Sequence, residues 1–343
     1  SSHCRGRAGR YSDMSHKDDE WVDLDLFEGE FRAESCLETG QCFHWKRLAP
    51  DQWLGILGDS CLHIQSTPHT TLVKCIAGEV DVAGLRDYLN VCKGQPLLKD
   101  LHAGWDDAAV LAATKLLPGA RVLQQSPVEA LISFICSSNN NVPRITLTLD
   151  RLRERFGRKI GRLPSSFSNQ LVEENSRGRA GTPTHVAEFA AGRKICAFPS
   201  PASLAVAGDS KLRELGLGYR ARYVAETARE LNSLSLEELR RLPREHAERE
   251  LRRFPGVGPK VAACVALYAL GFSDAVPVDV HVARVAACMA PQGLARRLSG
   301  TLTPRLHREV GDFFRDRFGP HAGWAQHILF AAQRQYPGIM KKK

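Results

Sequence analysis

Between Trp21 and about Ile76 the apolar positions fall in short runs, CFHWKR, WLGIL, CLHIQ and TTLVKCI, separated by turn residues that include Gly58-Asp59. Short runs bounded by Gly and Asp read as strands joined by tight turns, so this stretch predicts a small antiparallel sheet. Residues from Val80 to about Leu117 add helical segments, and a first α+β domain is placed at 21–118. Beyond it the apolar period becomes that of a helix. Ser126-Pro127-Val128-Glu129 combines a Ser N-cap, a Pro at the first helical position and a Glu at the third, the signature of a helix start. The apolar run Leu131 to Cys136 forms its buried body. Pro143 opens another helix with Ile145, Leu149, Leu152 and Phe156 on one face. It ends in RLRERFGRKIGR (151–162), six basic residues and one acid, which reads as a solvated helix end. Residues 164–200, rich in Ser, Gly, Pro and Arg, carry little pattern and read as a surface insertion. Helical periodicity returns from about Ala202 to Leu242. Residues 1–20 have no periodicity and read as a flexible tail, and 337–343 form a basic one.

Composition narrows the class. The 343 residues carry 47 Lys and Arg against 38 Asp and Glu, a formal charge of +9, and 43% are hydrophobic. That much apolar content excludes a disordered or collagen-like chain, and the positive balance puts nucleic acid first among partners. No apolar run approaches the ~18 residues needed to cross a bilayer, so a soluble protein with no membrane partner is expected. Ten cysteines never form a C-x-x-C pair and read as reduced thiols. There is no H-E-x-x-H, Walker loop or G-x-G-x-x-G, which leaves metal and nucleotide readings weak. The first residue is Ser, from which a trimmed chain is expected, with any upstream targeting segment outside it.

The most informative stretch is EHAERELRRFPGVGPKVAACVALYAL (245–270), where two helical segments flank Pro255-Gly256-Val257-Gly258. A turn this short can point backbone N–H groups outward at the start of the second helix. Free donors, the positive end of the helix dipole and little side-chain cover suit a phosphate oxygen. Gly256, Val257 and Gly258 are therefore candidate DNA-backbone contacts, and Pro259 removes one donor just beyond them. A plain αα-hairpin is the other reading. Lys260 follows in the first turn of the second helix, where the dipole and loss of water disfavour an ammonium and leave a nucleophilic amine. Further on, VPVDVH (276–281) makes Asp279 an N-cap candidate for VHVARVAACM. Singly, Lys260 reads as readily as a surface charge and Asp279 as a cap alone.

Taken together, the hairpin, its lysine and the Val-Pro-Val-Asp loop resemble the helix-hairpin-helix superfamily of DNA glycosylases, whose motif ends in Gly/Pro-Asp. Six motifs in family order narrow the resemblance to the eukaryotic-type 8-oxoguanine DNA glycosylases. They are TGQCFHW (39–45), FICSSNNN (134–141) followed by Arg144, GLGYRARY (216–223), FPGVGPKVA (254–262), VPVDVH (276–281) and GWAQHILF (323–330). The fold the resemblance implies is α+β. A TATA-binding-protein-like antiparallel domain (21–118) is followed by a two-lobed all-α helix-hairpin-helix glycosylase core (119–336), with the active site between the lobes.

The implied activity is that of a bifunctional glycosylase and AP lyase, which excises 8-oxoguanine opposite cytosine from double-stranded DNA. The lesion base is flipped out, a lysine forms a Schiff base, and β-elimination cuts the strand. Carried over by motif, Lys260 is the nucleophile and Asp279 steadies the developing positive charge. The Gly40 carbonyl accepts from the N7–H of the lesion and repels the bare N7 of guanine. Gln326 bonds the Watson–Crick edge, and Phe330 and Cys264 wall the base. Asn139, Arg144, Tyr219 and Arg220 fill the vacated stack and hold the orphaned cytosine, while His281 meets a phosphate. No cofactor is implied. Related glycosylases carry four cysteines after the catalytic Asp for an iron–sulfur cluster, whereas here only Cys288 follows, so neither a cluster nor zinc is expected. Two positions depart from animal relatives. Tyr268 stands where they have Met and is expected to reshape the pocket wall; Gln333 stands where they have Asp and is expected to loosen His281. Two alternatives stay open: a glycosylase for alkylated or mispaired bases on the same scaffold, and a non-catalytic DNA-binding module. Lys260 argues against a monofunctional form of the former. A monomer is expected, located in the nucleus, with mitochondrion or another organelle left open.

Overall fold

The computed structural model describes residues 20–26, 29–92, 94–167 and 191–337, so nearly all of both expected tails and the middle of the expected insertion lie outside the described residues. Strands β1 (Val22–Asp23), β2 (Trp45–Ala49), β3 (Gln52–Leu57), β4 (Ser60–Ser66) and β5 (Thr71–Ala77) make one antiparallel sheet in the order β1-β5-β4-β3-β2. Leu57 pairs with Ser60, leaving Gly58-Asp59 as a two-residue turn with Gly58 at φ +57, the backbone twist that a tight hairpin requires. One face of the sheet buries Trp53, Leu62, Ile64 and Val73 against α1 (Ala33–Cys36) and α2 (Val82–Tyr88).

The other face is covered by the close of the 151–162 stretch, which forms a strand and not a helix end, and by the described flanks of the segment read as a surface insertion. β6 (Lys159–Arg162) pairs antiparallel with β7 (Lys194–Cys196). Leu163, Phe167 and Ile195 are buried with Leu48, Leu54 and Cys61 of the sheet. The reading of 164–200 as surface is therefore corrected at both described flanks. Two strands of four and three residues, set apart by the whole segment, leave too little alternation to detect.

The helices begin with α3 (Leu98–Ala103) and α4 (Ala108–Leu116). Their apolar residues Leu98, Leu101, Trp105, Val110 and Ala113 belong to the helical core rather than to the sheet's core. Trp105 meets Phe318 edge-on at 6.2 Å. The apolar stripe of α4 thus finds its cover among the helices, while Leu123 beyond it returns to the core of the sheet domain. Next come α5 (Pro127–Ser137), buried along nearly its whole length, and α6 (Val142–Phe156). Then follow α7 (Pro201–Leu212), a wide turn Arg213–Leu217 and α8 (Arg220–Glu230). The chain continues through α9 (Arg244–Leu251), α10 (Pro259–Ala269), α11 (Val280–Met289), α12 (Gln292–Arg297), α13 (Pro304–Phe318) and α14 (Ala322–Gln335). Among the described residues no helix is long and apolar enough to cross a membrane.

The start of α5 carries a second correction. Ser126 makes no side-chain cap, and Glu129 pairs with Arg153 of α6 and with His44 Nδ1 at 3.3 Å. Burial works to raise the Glu129 pKa, but the Arg153 guanidinium and His44 outweigh it and hold the carboxyl down at about 2. Arg153 is only 3% exposed, so it is a core residue and not part of a solvated helix end.

Candidate active site

The hairpin forms as its sequence suggests, with α9 and α10 joined through the Pro-Gly-Val-Gly turn. Gly256 sits at φ +78, and a Cβ there would lie 2.6 Å from the Tyr223 ring, so only glycine fits. Val257 is a correction among the backbone contacts. Its side chain is buried and its N–H donates to the Phe254 carbonyl at 3.1 Å, so it has no donor to spare. Gly258 is the N-cap of α10, and a Cβ there would meet nothing within 4 Å. No side chain therefore covers the unpaired N–H groups that open this helix.

Lys260 rises from the first turn of α10, half-buried. Its amine is 3.5 Å from Ser137 Oγ and lies over the Phe134 ring at 5.1 Å, both on α5. Asp279 caps α11. Its Oδ1 accepts from the N–H groups of His281 and Val282, each at 2.9 Å, and among the described residues its Oδ2 makes no hydrogen bond. Burial pushes the Cys264 thiol up to about 11, with the adjacent Lys260 amine acting against that rise. Lys260 and Asp279 line one cleft of about 830 Å³ together with Gly40, Phe134, His281, Phe330 and Arg334, within the usual range of small-molecule sites.

Gly40 reaches this cleft from the sheet domain. Its φ is +86, and a Cβ would come 2.7 Å from Arg334 Nη1 and 4.0 Å from the Phe330 ring. The backbone thus comes close to the cleft at a position that other residues cannot hold. Phe330 lies 6.3 Å from the His281 ring, centroid to centroid. Gln326, one turn earlier on α14, is 2% exposed and its Oε1 has no partner. A buried acceptor of this kind gains about 1–3 kcal/mol from a hydrogen-bond donor. Gln326 and Cys264 are both buried, and neither lines the cleft.

The remaining candidates gather at one rim. Asn139 is exposed at φ +49, and Arg144 is exposed on the first turn of α6, where Asn141 caps the helix by accepting from its N–H. Tyr219 is 48% exposed and donates to the Ser138 carbonyl at 3.2 Å. Arg220 is not at the surface. Only 5% exposed, it donates to the carbonyls of Ser138 and Asn139, each at 2.8 Å. It braces the Asn139 loop and presents no free fork.

Sequence reasoning passed over Arg334. It lines the cleft four residues beyond Phe330, where the helical spacing of Gln326 and Phe330 would have placed it. Tyr268 does not wall the cleft as expected. It stacks behind Phe134 at 5.7 Å with a 21° interplanar angle. Gln333 lines the cleft with its Oε1 unpaired and without a hydrogen bond to His281. Among the described residues no group of three His, Cys, Asp or Glu side chains could hold a metal ion.

Comparison with known proteins agrees with this geometry. Residues 23–131 match the 8-oxoguanine DNA glycosylase N-terminal domain, and 132–290 match the HhH-GPD superfamily of base excision DNA repair proteins. The chain is 32% identical over 326 residues to the N-glycosylase/DNA lyase OGG1 of Arabidopsis thaliana, covering 91% of this chain and 80% of that one. It is 34% identical over 249 residues to the N-glycosylase/DNA lyase of Saccharomyces cerevisiae, covering 65% of this chain and 59% of that one. The apo form of the Clostridium acetobutylicum 8-oxoguanine glycosylase/lyase superposes with a TM-score of 0.72 at 25% identity, covering 93% of this chain and 98% of that one. The same bacterial protein is known bound to double-stranded DNA containing cytosine opposite 8-oxoguanine. The two family matches follow one another along the chain in the order of its sheet domain and helical core, and the chain belongs to the 8-oxoguanine DNA glycosylase family of N-glycosylase/DNA lyases, within the HhH-GPD superfamily.

Proposed function

We propose that this N-glycosylase/DNA lyase excises 8-oxoguanine opposite cytosine from duplex DNA in base excision repair, with Lys260 as nucleophile and Asp279 as electrostatic partner. A base paired in the duplex is out of reach, so the nucleotide turns out of the stack into the cleft. The unprotonated Lys260 amine bonds to C1′ as the N-glycosidic bond breaks, and the base leaves with the bonding electron pair. Asp279 faces the positive charge that develops on the sugar, with Oδ2 unengaged for that purpose. Once the bonded amine has lost a proton, its lone pair forms the C1′=N bond while the C1′–O4′ bond breaks, O4′ taking up a proton as the sugar ring opens, and the protonated imine results. Removal of a C2′ proton then expels the 3′ phosphate and cuts the strand.

Gly40 reads the lesion. The two purines differ at N7, which is a donor in 8-oxoguanine and an acceptor in guanine, so one fixed carbonyl attracts the first and repels the second. Phe330 stacks on the base, and Gln326 turns its orphaned Oε1 toward a donor on the Watson–Crick edge. Cys264 backs the base from behind Lys260. Asn139, Tyr219 and Arg144 occupy the vacated stack and the orphaned cytosine, with Arg220 exchanging its loop carbonyls for the same base. Gly256, Gly258 and His281 meet phosphates. A duplex DNA substrate and similarity to eukaryotic N-glycosylase/DNA lyases support the nucleus as the location, with mitochondrion or another organelle left open.

The observation that carries this reading is the convergence on one cleft of a lysine, an aspartate, a cleft-facing glycine backbone and an aromatic ring, delivered by four separate segments. An excision panel over lesion and opposite base tests it. The expected result is strand cutting at 8-oxoguanine opposite cytosine and none at 3-methyladenine. Release of alkylated bases with 8-oxoguanine untouched would transfer the site to the alkylated-base alternative.

A further inference from the structure

Behind the cleft lies a buried polar chain with no part in the chemistry above. The Tyr268 hydroxyl on α10 is 3.1 Å from His327 Nδ1 on α14. On the other side of the ring, His327 Nε2 is 3.4 Å from Thr39 Oγ1 and 3.3 Å from Gln41 Nε2. Thr39, Gln41 and His327 are at most 1% exposed, and Tyr268 is 5% exposed. Gln41 Nε2 donates to the carbonyls of Cys36 and Arg121, each at 3.0 Å, and to Thr39 Oγ1 at 3.2 Å. Thr39 donates to the Cys36 carbonyl at 2.9 Å. A neutral His327 ring carries one N–H, and either tautomer links Tyr268 to the Thr39–Gln41 pair: Nε2–H donates to Thr39 while Nδ1 accepts from Tyr268, or Nδ1–H donates to Tyr268 while Nε2 accepts from Gln41. Burial holds the ring neutral, its pKa lowered to about 4, as this single-proton arrangement requires.

The two residues gripped at the far end flank Gly40. Gln41 is held further by Gln125, which donates from Nε2 to the Gln41 carbonyl at 2.6 Å and from its backbone N–H to the Tyr268 carbonyl at 2.7 Å. At its near end the chain rests on the helix bearing Lys260 and on the helix bearing Gln326 and Phe330. It is thus the polar link between the backbone that reads the base and the side chains that stack on it and release it. Apolar packing fixes such a distance only loosely, whereas a satisfied hydrogen-bond chain fixes both distance and direction.

We propose that Tyr268 and His327 are positioning residues for lesion recognition: through Thr39 and Gln41 they set the Gly40 carbonyl at the distance from α10 and α14 that selects 8-oxoguanine. The proposal rests on the reading of Gly40 given above. It predicts a division between two steps, because cleavage of a preformed abasic site involves no base and makes no demand on Gly40.

The test compares single-turnover excision of 8-oxoguanine opposite cytosine with cleavage of an abasic site opposite cytosine, in full-length Tyr268→Phe, His327→Ala, His327→Gln and Gly40→Ala. Tyr268→Phe and His327→Ala should slow excision by about tenfold, the worth of one lost positioning hydrogen bond, and leave abasic-site cleavage within about twofold. His327→Gln, which keeps one donor and one acceptor, should recover part of the loss. Parallel loss of both activities, or retention of both, would overturn the proposal. Should His327→Ala fail to fold, Tyr268→Phe, which removes a single oxygen, decides alone. Gly40→Ala separates the two levels. If it abolishes excision while the Tyr268 and His327 variants excise normally, only the positioning claim fails. If it too excises normally, the reading of Gly40 fails.

Discussion

At the scale of single residues, Asp279 has two functions that substitution can separate. Its Oδ1 caps α11, and its charge faces the cleft. Asp279→Asn keeps an acceptor for the cap and loses only the charge, so base excision should fall by about 10²-fold with the melting temperature unchanged. Asp279→Ala should lose the same activity and about 1 kcal/mol of stability as well. Calorimetry paired with excision rates checks both. Equal stability in the two variants would mean that the cap is worth nothing. The places of Lys260 and Asp279 at helix starts were legible because caps and a hairpin turn have local signatures, whereas the roles proposed for them come from the resemblance of the motifs taken together. Val257 and Arg220 were read incompletely. Nothing local says that one N–H is spent on Phe254 or that a guanidinium folds inward onto Ser138 and Asn139.

At the scale of elements, the same Ser-Pro-x-Glu pattern can open a helix with a capping box or deliver a carboxylate to a buried pair, and only the fold decides. Here Glu129 joins α5 to α6 through Arg153 and to the sheet domain through His44. Removing the charge with Glu129→Gln leaves Arg153 buried without its partner and should cost about 3 kcal/mol in denaturant unfolding. Replacing both residues, Glu129→Leu with Arg153→Met, should cost less than the single change. A single variant within about 0.5 kcal/mol of wild type would show the pair to be incidental. The sheet was legible because its strands are joined by short turns, whereas β6 and β7 pair across a long segment and carry only a buried Ile195 and Cys196 as a signal.

At the scale of the whole molecule, burial lowers His63, His307 and His327 from 6.5 to about 4 each. The unfolded chain takes up these protons near 6.5 while the folded chain refuses them until about 4. Their contribution to stability is complete above that range and lost as pH falls through it. The depressed Glu129 carboxyl continues the trend, its stabilisation present above 4.5 and lost as pH falls toward about 2. A melting-temperature series should be level near neutrality and fall steadily from about pH 6.5 downward; a level profile through pH 5 would contradict the burial of these rings. The two domains meet where function requires them to, since Gly40 of the sheet domain faces Phe330 and Lys260 of the helices across one cleft. The most direct measurement of the central claim is borohydride reduction of the protein with an 8-oxoguanine·cytosine duplex. Wild type should be trapped as a covalent adduct mapping to Lys260, while Lys260→Gln should bind the duplex without being trapped. An adduct that survives in Lys260→Gln, or wild type that binds the lesion and is never trapped, would contradict the account.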